Sequence, residues 1–318
     1  MVVATEPSAQ SSATEEERFW NPGPESFGER FKLRALHRTT QASGMAGRLF
    51  GRLATQSVGI LTYHRIAARC AGVPFPTINV TPDTFRQQLV GLQRRGFRFA
   101  SLGSVLSART AAAKLRERTV VLTFDDIYDN VFLNALPVLQ ELRIPATVFI
   151  STAFIDSADP FPFDPWAQKY QSQVPVTAWQ PITDEHLRGM LSCGLIELGA
   201  HTHTHQDFRN DASGFAVDVA TGIEILQSEY AVRSMAFAFP YGSPRLGFCD
   251  QSLMSVVQDL DLRCGLTTGP HTNPGKSSPF GWGRFHVFEH DSAATLAAKL
   301  DGWYEWLPRL KNRFVGKK

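Results

Sequence analysis

The 318-residue sequence is short of several things, and each shortage closes a class of function. It has no run of about 18 apolar residues, so no membrane-spanning helix is expected. Its four cysteines, Cys70, Cys193, Cys249 and Cys264, include no CxxC pair. Neither a zinc ribbon nor a disulfide framework follows, and the thiols read as buried and free rather than as a Cys249–Cys264 bridge. An excess of either charge is also missing, since the formal net charge is +2. No global field would draw the chain to nucleic acid or anionic lipid. The basic ending with Lys311, Arg313, Lys317 and Lys318 is local and lacks a stacking series of aromatics. There is no internal repeat. Residues 1–18 are Ser-rich and acidic, without a charged start or apolar core, so no secretory leader is read and a cytoplasmic chain is expected. What is present is 43% hydrophobic and 19% charged residues, enough apolar side chain for a packed core.

The organisation changes near residue 56. Residues 1–55 are punctuated by Asn21-Pro22-Gly23-Pro24 and read as a tail or adaptor; residues 311–318 read as a basic tail. Between them, short runs that are apolar on both faces recur at 57–63, 119–124, 146–151, 195–200, 235–239, 263–268 and 283–288. Such runs belong to parallel strands covered by helices. Helical spacing is read at 81–95, 131–142, 183–191, 211–230 and 292–307. About seven strands alternating with helices predict an α/β fold, a distorted (β/α) barrel over residues 56–310, with its chemistry where strands end. The Pro-, Phe- and Trp-rich stretch 156–181 is too long for a connector and is expected to shape a cleft.

Three strand ends carry chemistry. Asp125 and Asp126 directly follow the run Thr119–Phe124. Neighbouring side chains of an extended segment point apart, which suggests one carboxylate for a cation and one for a proton; N-capping of a helix by one of the pair is the alternative. His201, His203 and His205 follow the next-but-one strand. A helical turn would bring His201 and His205 to one face, whereas a strand would align all three. One carboxylate with two imidazoles leaves positions open on a divalent ion, the arrangement that activates water and polarises a carbonyl. At the third strand end, Pro240 and Gly242 fix a turn that could aim the Tyr241 N–H at a developing oxyanion, or simply let the strand exit.

With these residues in view, the chain resembles the NodB-homology polysaccharide deacetylases, carbohydrate esterase family 4, in the branch whose third motif reads FAYPYG. The likeness rests on Leu61-Thr62-Tyr63-His64-Arg65-Ile66, on Leu122-Thr123-Phe124-Asp125-Asp126, on Asn134-Ala135-Leu136-Pro137 followed by Ile144 to Phe149, on His201-Thr202-x-x-His205, and on Phe237 to Gly242. The resemblance implies a (β/α)7-type barrel that removes N-acetyl groups from amino sugars and releases acetate. It implies that Asp126, His201 and His205 hold a divalent metal, zinc first, with cobalt, nickel or manganese as substitutes. Asp125 would be the general base, and the Tyr241 N–H would face the oxyanion.

The sequence departs from the family pattern at three points. Ile127 stands where the family usually has Gly, and is expected to crowd the metal. Ala238 stands where many members have an Arg that tunes the base, and Arg284 is read as a substitute partner for Asp125. The leucine-x-histidine motif that supplies the general acid is not evident, so His64 and His286 are its candidates, with His64 preferred because a related branch carries a histidine there. The expected partner is an N-acetylated saccharide. Two rival readings keep the fold: hydrolysis of a cyclic amide or ureide, and a glycan-binding scaffold that has lost turnover.

Overall fold

The computed structural model describes residues 57–113, 115–274 and 277–302. The tails expected at 1–55 and 311–318 lie outside these residues. Twelve strands are described: β1 (Ser57–Tyr63), β2 (Arg65–Ile66), β3 (Asn79–Val80), β4 (Arg98–Phe99), β5 (Thr119–Phe124), β6 (Ala146–Ile150), β7 (Ile196–Ala200), β8 (Phe237–Ala238), β9 (Gly265–Leu266), β10 (Asn273–Pro274), β11 (Phe280–Trp282) and β12 (Phe285–His286). The helices are α1 (Pro82–Arg94), α2 (Leu102–Thr110), α3 (Leu136–Leu142), α4 (Pro165–Tyr170), α5 (Asp184–Ser192), α6 (Ala212–Tyr230), α7 (Gln251–Asp259) and α8 (Ala293–Leu300).

The main sheet runs β10-β1-β5-β6-β7-β8-β9-β11, with β12 also on β1 and β4 also on β5. All its pairs are parallel except β10 with β1. Residues 280–286 pair with β9 through β11 and with β1 through β12, so this stretch curls the sheet back on itself. The parallel, curled sheet with its helices is the distorted barrel predicted from the alternation of runs.

Strand side chains alternate between two clusters, as a period of two requires. Leu61, Tyr63, Val120, Leu122, Phe124, Val148 and Ile150 pack under the helices with Leu89, Leu139, Met190, Val219, Val257 and Leu296. Val58, Ile60, Val121, Phe149, Ala238, Leu266 and Trp282 take the opposite face, where α2 contributes Leu102, Val105 and Leu106. Full burial of one such side chain stabilises the fold by about 1.5–3 kcal/mol, so both faces hold the strands in register.

Helix starts follow their caps. Thr81, Ser101, Thr183 and Ser292 each accept a first-turn N–H on the side-chain oxygen. Helix α5 thus starts on Thr183 with Asp184 and Glu185 in its first turn, although the residue three after the cap is His186 rather than Glu. The expected helix at 131–142 begins with a π-helical turn, Val131–Ala135, that lets Pro137 enter α3 without losing an interior bond. All four cysteines are free.

Candidate metal centre and active site

The three predicted strand ends meet. Asp126 follows β5, and His201 and His205 follow β7; one oxygen or nitrogen from each lies within 4.8 Å of the others. His201 Nε2 and His205 Nε2 stand 3.4 and 3.3 Å from Asp126 Oδ1. All three residues are buried.

Neither predicted geometry of the histidine segment holds. Residues 201–205 form a bend, with Thr202 at φ 65° and His205 at φ 54°, both in the left-handed region. The Thr202 hydroxyl accepts the His205 N–H at 3.0 Å and closes the turn. Asp218 of α6 accepts the N–H groups of His203 and Thr204 and the Thr204 hydroxyl, which fixes the outer half of the bend. His203 turns away to the Thr152 hydroxyl, 2.9 Å from its Nδ1. His201 Nδ1 faces the Ala238 carbonyl at 2.7 Å. A carbonyl can only accept, so the ring proton sits on Nδ1 and the Nε2 lone pair is turned to Asp126.

Asp126 tests whether the site fits a cation. Both its oxygens are buried and without a hydrogen-bond partner, and with the His201 ring proton on Nδ1 that residue's Nε2 has none to donate. A buried carboxylate left so costs several kcal/mol unless a charge meets it. One anionic oxygen ligand and two neutral imidazoles are the donor set of a divalent ion such as zinc. The residues present fit it.

Asp125 is treated differently. Arg284 grips it in a fork, NH1 to Oδ1 at 2.6 Å and NH2 to Oδ2 at 2.7 Å, with both residues buried. Burial raises the Asp125 pKa, yet Arg284, followed by His201 and His64, outweighs it and leaves the carboxyl below its ordinary value. Arg284 is itself held by the Thr267 carbonyl and the hydroxyls of Thr62 and Thr123, groups at the ends of β9, β1 and β5. Its backbone is placed by Gly283, whose N–H and carbonyl are both bonded to the Asn273 side chain at 2.8 Å. A Cβ at Gly283 would collide with the Gly269 carbonyl, so only glycine lets this strand pass. Arg284 therefore reaches Asp125 from the link between β11 and β12, while at Ala238 the backbone carbonyl orients His201.

His64 is buried and His286 half-buried, their rings stacked with centroids 5.5 Å apart. Burial pushes His286 down to about 3, and His64 and Arg284 push in the same direction. Burial also lowers His64, against the raising pull of Asp126 and Asp125. Tyr241 sits at φ 58° just after β8, its ring edge-on to His205 at 4.9 Å.

Ile127 directly follows the Asp pair. Its side chain is 1% exposed and packs in the main core. Its own φ is 56°, which explains the usual glycine: the turn after the Asp pair needs the left-handed region. Ile127 adopts it under strain, braced by its N–H to the Asp125 carbonyl at 2.7 Å and by its carbonyl to the Ile182 N–H at 3.1 Å.

Sequence reasoning missed Phe163, which stacks on the His205 ring with centroids 3.7 Å apart, and Asp164 beside it. The only signal was the aromatic bias of the 156–181 stretch, which does not point to one residue.

The model of the polysaccharide deacetylase family matches residues 112–265 of the chain. That span holds Asp125, Asp126, His201, His205 and Tyr241, but neither His64 nor Arg284. The poly-β-1,6-N-acetyl-D-glucosamine N-deacetylase of Staphylococcus aureus (strain MSSA476) is 22% identical over 236 residues, 71% of this chain and 73% of that protein. The enzyme of the same name from Escherichia coli (strain K12) is 24% identical over 65% of this chain and 34% of its own length. Among solved structures, IcaB from Ammonifex degensii superposes with a TM-score of 0.64 at 22% identity, covering 78% of this chain and 98% of that one. The Streptococcus pyogenes deacetylase PplD, solved with acetate, gives 0.61 at 20% identity, covering 77% and 98%. These two share the fold. Among the described residues, no helix is long and apolar enough to cross a membrane.

Proposed function

We propose that the chain is a metal-dependent N-deacetylase of N-acetylated amino sugars in a glycan or saccharide precursor, with zinc as the working ion. The observation that carries this reading is the pair of adjacent buried carboxylates in opposite states: Asp126 with two unmet oxygens facing two imidazoles, and Asp125 locked by Arg284. Asp126, His201 and His205 would hold the ion, which when bound polarises an acetamide carbonyl and acidifies a water.

The rest falls to the chain's own groups. Asp125, kept ionised by Arg284 despite burial, takes a proton from the attacking water. Water oxygen adds to the carbonyl carbon, and the Tyr241 N–H donates to the developing oxyanion. The C–N bond then breaks, the amine takes a proton, and acetate and a free sugar amine leave. His64 is the better donor of that proton. Burial, His64 and Arg284 all push His286 down, whereas at His64, itself lowered by burial, the two carboxylates pull the other way.

The test is acetate release from N-acetylglucosamine oligomers, run beside a ureide panel. The reading expects acetate from the oligomers that stops on chelation and returns with zinc. Turnover of ureides alone would replace it with the cyclic-amide reading, and saccharide binding without release would leave a scaffold.

A further inference from the structure

Two of the three groups proposed to hold the ion are imidazoles, and the protein fixes them by different means. His201 has the usual outer partner of a ligand histidine, a carbonyl on its second nitrogen. His205 Nδ1 is buried and has no hydrogen-bond partner. The torsion that turns an imidazole about its stem is broad, so a ring without that bond has little to set its plane. Here contacts to the ring itself replace the bond. Phe163 lies flat on His205, planes 20° apart and centroids 3.7 Å apart, and Tyr241 meets it edge-on.

Phe163 is itself held on both sides. Its ring packs on Phe161 and Phe154, at 5.0 and 5.6 Å between centroids. The next residue, Asp164, is buried and accepts from the Arg65 guanidinium, from the Tyr128 hydroxyl at 2.9 Å and from the Ala167 N–H at 3.0 Å. Those bonds tie the 156–181 stretch to β2, to the loop after the Asp pair and to the start of α4. Arg65 also lies over the rings of Tyr128 and Trp166, at 4.4 and 4.8 Å, which fastens the same joint from its apolar side.

Resting on the reading of Asp126, His201 and His205 as the cation site, we propose that Phe163 is a positioning residue for His205. Its ring sets the imidazole plane in place of the missing acceptor, and Asp164 anchors it. Rotation of His205 would drive its edge into the Phe163 face, so Nε2 stays turned to Asp126. The long aromatic stretch is then part of how the metal centre is built, beyond lining a cleft.

The experiment uses the full chain with Phe163→Ala, Phe163→Leu and Phe163→Tyr. Three readouts are taken: the zinc dissociation constant by competition with a chromophoric chelator, the visible spectrum of the cobalt-loaded protein, and the melting midpoint without metal. Phe163→Ala and Phe163→Leu are expected to weaken zinc by about tenfold, the effect of losing an outer partner of a ligand histidine, and to change the cobalt spectrum. The metal-free melting of Phe163→Leu should stay near the parent, and Phe163→Tyr should restore both affinity and spectrum. Unchanged affinity and spectrum in Phe163→Leu would overturn the proposal, even with slower acetate release, because the ring would then serve the substrate alone. A parent that takes up no zinc, or an Asp126→Ala protein that binds it as tightly, would bring down the underlying site reading instead.

Discussion

Asp125 and Asp126 are neighbours on the chain, equally buried, at the end of the same strand, yet one has every oxygen met and the other has none. The difference lies in what approaches from other strands. From the link before β12 comes a guanidinium, a permanent charge whose fork matches a carboxylate. From the end of β7 come two imidazole edges whose Nε2 atoms stand 3.4 and 3.3 Å from Asp126 Oδ1 without hydrogen bonding to it. One side is a finished ion pair that fixes a protonation state. The other is a half-made coordination shell.

Substitutions can break this contrast, beginning with the largest effect. Asp126→Ala or His201→Ala should bring acetate release down to background and remove bound zinc, checked by activity and metal analysis on the same samples. Asp125→Asn keeps the shell and removes the base, so kcat should fall by about 10²- to 10⁴-fold while zinc content holds. Loss of zinc in that variant would mean the two carboxylates share one role.

Arg284→Met leaves Asp125 buried without its partner, at a cost of about 3–5 kcal/mol in urea unfolding. The sign of its pH effect follows from the depressed carboxyl. A group lowered in the folded state contributes stability above its ordinary value and loses it only as pH falls through the lowered one. Without Arg284 burial dominates, the Asp125 pKa rises, and both the acid unfolding edge and the acid limb of kcat/KM should move to higher pH. An unmoved acid limb would remove Arg284 from the tuning of the base.

The smallest effect is expected at Ile127. Ile127→Gly relieves a left-handed φ worth about 1–3 kcal/mol but gives up a buried side chain worth about 2–5 kcal/mol, so a net loss of about 1–2 kcal/mol should appear in denaturant melts. A gain in stability would show that strain outweighs packing at the turn.

Much of this was legible in the residues. Runs apolar on both faces marked β1, β5, β6 and β7, because parallel strands under helices cannot alternate with polar residues. Helices α2 and α7 were not: Gly103, Ser104 and Ser107 weaken the helical pattern of the first, and Ser252 and Ser255 that of the second. The histidine bend escaped because its shape depends on two residues in the left-handed region and on a cap from Asp218, 13 residues beyond His205 and on another element. The reach of Arg284 to Asp125 spans 159 positions, and only closure of the sheet through β11 and β12 brings them together. Phe163 was hidden among other aromatics of its stretch, since stacking on one imidazole leaves no spacing to read.

The most direct test of the account is anomalous diffraction at the zinc edge from crystals grown with zinc. The account predicts one strong peak about 2.0–2.2 Å from an Asp126 oxygen and from Nε2 of both His201 and His205, with Asp125 still gripped by Arg284. No peak there, or a peak bound through Asp125 with Arg284 displaced, would contradict it.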